Sequence, residues 1–94
     1  MAYQGLSLEG KRALVFGGTS GLGKSIALGL AQAGADVAPV SRRAEEVRKT
    51  AEEIRAVGRR SLAMTADVTR RDEIQGVIDG MLKEWGRIDI LVNS

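Results

Sequence analysis

Residues 12–25 read RALVFGGTSGLGKS, an apolar run that passes directly into a glycine-rich loop. Residues 13–17 predict a buried strand. The next residues recur on one helical face, which predicts a helix that stops at Gly34 and whose face carries Leu22, Ile26, Leu30 and Ala33. Glycines between strand and helix allow positive φ and keep Cβ atoms away from a ligand, while the free N–H groups of a helix start favour an anion. The stretch therefore predicts a phosphate-binding turn.

Strands and helices alternate along the rest of the chain. Three further apolar runs predict strands at 36–40, 61–65 and 88–93. Because one helical stretch separates each strand from the next, the strands must run parallel with right-handed crossovers. The sequence therefore predicts an α/β fold of order βαβαβαβ, a Rossmann-like doubly wound parallel sheet. Pro39 removes a ladder donor from the second strand, so we expect a local irregularity there.

The two later helices are predicted from their apolar faces. The second stops before Gly58, and its face carries Ala44, Val47, Ala51 and Ile54. The third closes at Gly86, and its face carries Ile74, Val77, Met81 and Trp85. Thr69 with Asp72 three residues later has the spacing of a capping box, so this helix is predicted to open at Thr69.

Composition limits the possible functions. Ninety-four residues with 44% hydrophobic content suit one domain, residues 1–94, and no apolar run approaches the ~20 residues that span a bilayer. Fourteen Lys and Arg face twelve Asp and Glu along the whole chain, a pattern of solvated helix faces that argues against nucleic-acid binding. Cys and His are absent, so thiolate and imidazole metal sites are excluded. We expect a cytoplasmic protein that binds neither metal nor membrane.

The glycine loop matches two motifs. Gly17, Gly21 and Gly23 form GxxxGxG, a dinucleotide pattern, whereas Gly18–Ser25 reads GTSGLGKS, a literal P-loop. A P-loop would place Lys24 on the phosphates of a nucleoside triphosphate. Otherwise this lysine would reinforce a dinucleotide phosphate site or extend into water. A tight turn without a ligand also uses glycine, but four glycines within seven residues favour a phosphate site.

Four segments together resemble the short-chain dehydrogenase/reductase family. They are LEGKRALVFGGTSGLG at 8–23, SRR at 41–43, DVT at 67–69 and LVN at 91–93. Each contains or follows the carboxyl end of a predicted strand, and they come in the family's order. The resemblance covers nearly the whole chain. It implies an NAD(P)-binding Rossmann unit and hydride transfer between a nicotinamide and a carbonyl or alcohol.

The resemblance also implies roles for individual residues. The pyrophosphate would be held by a loop set that consists of Gly17, Thr19, Ser20, Gly21, Leu22 and Gly23. Asp67 and Val68 would hold the adenine, and Asn93 would pack beside the adenosine ribose. A plainer interpretation of Asp67 is that it only precedes the predicted helix cap at Thr69.

The residues after the second strand indicate which cofactor is bound. An acid at this place would bond the ribose 2′-OH, but Ser41, Arg42 and Arg43 stand there instead. Guanidinium groups suit a 2′-phosphate, so the sequence favours NADP over NAD. Arg70 and Arg71 begin the third helix in the same way with no ligand assigned, so such placement also fits a plain solvated face.

The family's catalytic residues are expected outside this stretch of sequence. A Tyr and a Lys in a YxxxK signature would follow the fourth strand at a distance, and Tyr3 cannot replace them because it precedes the first strand. Because these residues are not found in the sequence, we predict no catalytic residue here and expect an incomplete fragment of a larger domain that is inactive alone.

The sequence also departs from the family pattern at two positions. Phe16 stands where the family usually has Thr, and Ser94 replaces a second Asn.

Three functions remain open from the sequence. The first is an NADP-dependent oxidoreductase of the short-chain type, in which this chain supplies dinucleotide binding and the complete enzyme takes a small carbonyl or alcohol substrate. The second is a P-loop nucleotide hydrolase, and the third is a non-catalytic nucleotide-binding or interaction module. We also expect a homo-oligomer, because the fourth strand would expose an apolar edge.

Overall fold

The computed structural model describes residues 7–94, and Tyr3 lies outside this range. The elements in chain order are β1 (Arg12–Phe16), α1 (Gly21–Gln32), β2 (Asp36–Ser41), α2 (Ala44–Ala56), β3 (Met64–Thr65), α3 (Arg71–Trp85) and β4 (Ile90–Asn93). All strand pairs are parallel, and the sheet order is β3-β2-β1-β4. The predicted α/β, Rossmann-like sheet is confirmed. Within residues 7–94, each helix is too short or too polar to cross a membrane.

Side chains of the central strands alternate between two cores. Leu14 and Phe16 point to the face that α3 covers, where they join Val77, Met81 and Trp85. Ala13 and Val15 point to the opposite face, where they meet Ala27, Ala31 and Ile54 of α1 and α2. Because helices cover both faces, the central strand β1 is apolar from Ala13 to Phe16, as parallel strands require.

The irregularity expected at Pro39 lies in the pairing of β2 with β3 and not in β2 itself. Pro39 itself keeps regular register with Val15 of β1. The N–H of Val37 points towards the β3 side, where it donates to Arg60 O. Residues two apart in a strand direct their N–H groups to the same side, so the N–H that Pro39 lacks would also have faced β3. The ladder on that side breaks between the Val37↔Ser61 bridge and the Val40↔Met64 pair. The strand predicted at 61–65 is therefore only two residues long.

The buried face of α1 differs from the predicted one. Its buried residues are Gly23, Ala27 and Ala31, one position on from the predicted set. Leu22, which was expected in the core, is 71% exposed. Small residues allow the helix to lie close to the sheet, and the larger apolar residues flank the contact. The periodicity of large apolar residues therefore predicted the wrong face of α1, because the face in contact with the sheet consists of small residues.

The capping box predicted at the start of α3 is wrong. The helix begins at Arg71 after an N-cap residue, Arg70, that makes no side-chain capping bond. The hydroxyl of Thr69 instead donates to Asp67 Oδ1 at 2.6 Å. Thr69 therefore lies one residue before the N-cap position, where a side-chain oxygen would accept from an N–H of the first turn.

The other helix boundaries and faces follow the sequence. Val47, Ala51 and Ile54 of α2 are buried, although Ala44 is exposed. The α3 face is confirmed as well, with Ile74 only partly buried. Gly86 ends α3 in the left-handed conformation, as a C-terminal glycine does.

Strand β4 lies at the edge of the described sheet. It begins at Ile90, two residues later than predicted, and pairs with β1 alone. Ile90 and Val92 are partly buried against the α1 face, whereas Leu91 is 60% exposed. The described residues thus leave one side of β4 open.

Candidate dinucleotide site

Two clefts open at the carboxyl edge of the sheet, beside β1, where the strand order reverses between the neighbours β2 and β4. The first, of about 290 Å³, is lined by Gly17, Ser41, Arg42, Ala66, Asp67, Val68, Thr69 and Ser94. The second, of about 340 Å³, is lined by Thr19, Ser20, Ser41, Arg42, Arg43 and Glu46. Ser41 and Arg42 belong to both. Ligands of doubly wound sheets bind at this kind of switch point.

The glycines of the loop are needed for two different structural reasons. Gly17 and Gly23 are packed tightly: a Cβ on Gly23 would lie 1.9 Å from Gly17 O, and one on Gly17 would lie 2.8 Å from Ser94 O. Gly21 has a φ of +54° and nothing within 4 Å of its Cβ position. The first two glycines therefore let α1 approach the sheet edge, and Gly21 faces open space.

The start of α1 leaves backbone donors free. Ser20 is the N-cap residue in extended conformation, and its side chain makes no capping bond. The first helical bond runs from Lys24 N to Ser20 O, so the N–H groups of residues 21–23 precede the helical ladder. The first turn carries no acid. These donors and the helix dipole suit an anion.

Asp67 is an ionised acceptor in the first cleft. The hydroxyl and N–H of Thr69 both donate to its Oδ1, at 2.6 and 2.9 Å. These bonds, with smaller contributions from Arg42 and Arg70, hold the pKa of the Asp67 carboxyl below its ordinary value, against a small opposing effect of burial. Oδ2 is left to accept from a ligand. The plainer interpretation of Asp67 changes accordingly: Asp67 does not precede a Thr69 cap, but it holds the turn at residues 67–69 through Thr69.

The end of β2 presents its two guanidinium groups differently. Ser41 Oγ accepts from the N–H of Arg43 at 3.3 Å and so shapes the turn into α2. Arg42 lines both clefts. Arg43 Nη1 pairs with Glu46 Oε2 at 3.0 Å, and its side chain is 79% exposed. The sequence pattern does not distinguish the two arginines and does not predict the ion pair between Arg43 and Glu46.

The end of β4 contributes a residue other than the predicted one. Asn93 pairs in register with Phe16 and is exposed, but it lines neither cleft. Ser94 donates its N–H to Phe16 O at 3.1 Å and lines the first cleft. The role of Ser94 could have been predicted from the parallel sheet, because the residue that follows each strand lies at the same edge. Phe16, at the position where the resemblance leads us to expect Thr, is 5% exposed and packs in the core that α3 covers.

Lys24 forms an ion pair that the sequence does not predict. Its Nζ pairs with Glu53 Oε2 of α2 at 2.8 Å, so it ties the two helices together. A P-loop needs this lysine on the β and γ phosphates. The ion pair therefore argues against the P-loop alternative.

Comparison with known proteins identifies the family. Residues 11–94 match the family model described as short chain dehydrogenase. The chain belongs to the short-chain dehydrogenase family. It is 46% identical over 94 residues to 2-dehydro-3-deoxy-D-gluconate 5-dehydrogenase of Escherichia coli (strain K12), which covers all of this chain and 36% of that relative.

Solved structures with similar folds agree with this assignment. A short-chain type dehydrogenase/reductase from Mycobacterium marinum superposes with a TM-score of 0.86 at 44% identity, covering 90% of this chain and 34% of the other. The Pseudomonas aeruginosa RhlG/NADP active-site complex gives 0.87 at 37% identity, covering 95% and 36%. The chain thus spans about a third of the length of these relatives.

The residues at the edge fit the NAD(P) that this family binds. The open space at Gly21 and the free N–H groups of residues 21–23 suit a pyrophosphate. The first cleft combines apolar walls at Ala66 and Val68 with the acceptor Asp67, which suits an adenine with its exocyclic amino group. Arg42 adds a positive charge where the adenosine ribose would lie beside β2.

Proposed function

We propose that this chain forms the NADP-binding part of an oxidoreductase of the short-chain dehydrogenase type. The observation that carries the proposal is the position of Arg42, which stands where an acid would select NAD and which lines both clefts. A guanidinium there supplies the positive charge that a 2′-phosphate needs. The NADP complex of a structural relative at 37% identity is consistent with this.

The pyrophosphate would rest on the start of α1. Gly21 leaves room for it, and the N–H groups of residues 21–23 donate to its oxygens. The hydroxyl of Ser20 is exposed and makes no capping bond, so it is free to add a donor. Thr19 lines the second cleft but is only 8% exposed, so its part is mainly to shape the loop.

The adenine would lie in the first cleft between the ends of β2 and β3. Val68 is 49% exposed there and offers an apolar surface to the ring. Asp67, ionised and fixed by Thr69, accepts from the exocyclic amino group through its free oxygen. Asn93 would contact the adenosine ribose only from outside the two clefts.

The bound nicotinamide would supply or accept hydride from a small carbonyl or alcohol substrate. The residues described here would bind and orient the cofactor. We propose that the acid/base chemistry belongs to a Tyr and a Lys outside this sequence, and that the protein is cytoplasmic. The open side of β4 and the exposed Leu91 support self-association.

The test is calorimetric titration of the complete protein with NADPH and NADH. We expect NADPH to bind at least about tenfold more tightly, since one charge-assisted hydrogen bond contributes about 1.5–3 kcal/mol. Arg42→Asp should reverse this order. Arg71→Asp is the control, because Arg71 is exposed at the start of α3 and lines neither cleft. Absence of binding to both nucleotides, or an unchanged order in Arg42→Asp, contradicts the proposal.

A further inference from the structure

Glu46 occupies a central place beside the second cleft. It lies in the first turn of α2 and lines this cleft with Ser41, Arg42 and Arg43. It also lines the adjoining cleft between α1 and α2, which contains Lys24 and Lys49. Among the described residues that line the second cleft, Glu46 is the one acid. A carboxylate therefore lies beside Arg42 and Arg43 in the cleft that we propose for the 2′ substituent of the cofactor.

The carboxylate of Glu46 holds one of the two arginines. Arg43 Nη1 lies 3.0 Å from Glu46 Oε2, and the side chains are 79% and 35% exposed respectively. The pair keeps the Arg43 guanidinium at the rim of the cleft, bound to an anion that already belongs to the protein. Arg42 makes no such pair within residues 7–94.

Helix position alone does not explain this arrangement. An acid in the first turn of a helix is stabilised by the dipole, and Glu45 and Glu46 share that advantage. Glu45, however, pairs with Arg48 at 2.5 Å and lines neither cleft. The two adjacent glutamates thus hold different arginines, and of the two only Glu46 lines the second cleft.

We propose that Glu46, by holding Arg43, limits how strongly the site prefers a 2′-phosphate over a 2′-hydroxyl. This inference rests on the proposed function. A 2′-phosphate must draw Arg43 away from Glu46, and this competition for the guanidinium weakens its binding. A ribose 2′-hydroxyl carries no charge, so it does not compete with Glu46 for the guanidinium of Arg43. Glu46 is therefore a specificity-determining residue that keeps NADH binding within reach of NADPH binding.

The test compares Glu46→Gln with Glu45→Gln in the complete protein by calorimetric titration with NADPH and NADH. Glu46→Gln should raise the NADPH to NADH affinity ratio by up to about fivefold, the upper end of the range for an exposed ion pair, whereas Glu45→Gln should leave it unchanged. In an Arg43→Gln background the gain from Glu46→Gln should disappear. Arg43→Gln alone should lower NADPH affinity less than Arg42→Gln, because Arg43 is already engaged.

The outcomes separate this inference from the proposed function. If the unsubstituted protein binds neither nucleotide, the proposed function fails. If it binds both and Glu46→Gln leaves the ratio where Glu45→Gln leaves it, the inference about Glu46 is overturned and the proposed function stands. A gain that persists without Arg43 also overturns the inference, because Glu46 would then act without holding the arginine.

Discussion

Two strand-to-helix turns meet at the same edge of the sheet, and they are built in opposite ways. The turn from β1 to α1 is glycine-rich, has no acid in the first helical turn and buries Gly23. The turn from β2 to α2 carries two arginines, followed by two glutamates in the first helical turn. Both helices begin at an extended N-cap residue without a side-chain capping bond, Ser20 and Arg43 respectively.

The difference indicates how each turn recognises a ligand. The first turn offers backbone donors beside the open space at Gly21, so it suits any diphosphate, while its tightly packed Gly17 and Gly23 tolerate substitution poorly. The second turn offers charges on exposed side chains, so it discriminates between cofactors and can be adjusted in small steps. Substitutions should therefore act as steric failures in the first turn and as graded shifts in the second.

The largest expected effect is that of Gly23→Ala. The new Cβ would lie 1.9 Å from Gly17 O, and α1 must shift to relieve the overlap. We expect a loss of about 3 kcal/mol in the free energy of unfolding and loss of dinucleotide binding. Urea denaturation and calorimetric titration measure the two effects.

Gly29→Ala is the control for this substitution. Gly29 lies on the same helix with nothing within 4 Å of its Cβ position. Alanine there should raise stability by up to about 1 kcal/mol, because it favours the helix more than glycine does. Equal destabilisation by both substitutions would contradict the close approach at Gly23.

A smaller and more selective effect is expected for Gly21→Ala. Gly21 has a φ of +54° and open space around it, so alanine should cost about 1 kcal/mol in stability through backbone conformation alone. Gly10→Ala should cost a similar amount, because Gly10 has a φ of +82° and is equally open, but it precedes β1. Only Gly21→Ala should weaken NADPH binding, by about tenfold, because its Cβ enters the phosphate space. Comparable affinities in the two variants would count against a pyrophosphate at Gly21.

The sequence predicted the parts of this edge that depend on local chemistry. The loop glycines, the Gly86 stop and the apolar face of α3 follow from backbone freedom and periodicity, and the structure agrees. The face of α1 was misplaced because contact with the sheet selects small residues such as Ala27, which periodicity counts weakly.

Contacts between distant segments could not be predicted in the same way. The short β3 depends on a donor missing from Pro39 across the ladder, and Thr69 turns to Asp67 and not to its own helix. Glu46 and Ser94 enter the clefts only once the strands are placed in register. Each of these depends on which groups meet after folding, and local propensity contains no information about that.

The smallest effect concerns Asp67 and pH. Because Thr69 lowers the pKa of the folded Asp67 carboxyl below the unfolded value of about 3.9, ionised Asp67 stabilises the fold above that pH. This stabilisation is lost as pH falls through the folded pKa. Thr69→Val removes the hydroxyl donor, so the pKa should rise and the loss should begin at higher pH.

Carbon-detected NMR of the aspartate carboxyl groups measures this shift. Asp89 serves as an internal control, because its pKa is lowered by Arg87 and by the backbone N–H of Arg12, which Thr69→Val leaves in place. An unchanged Asp67 titration in the variant would show that Thr69 does not fix the carboxylate.

The most direct measurement is an amide NMR titration of the ¹⁵N-labelled complete protein with NADPH. If backbone donors at the start of α1 hold the pyrophosphate, the largest saturable shifts should fall on residues 21–23 and on 67–69. Amides at the opposite edge, such as those of Arg12 and Asp89, should stay in place. Saturable shifts centred on that opposite edge, or none at the glycine loop, would contradict the account.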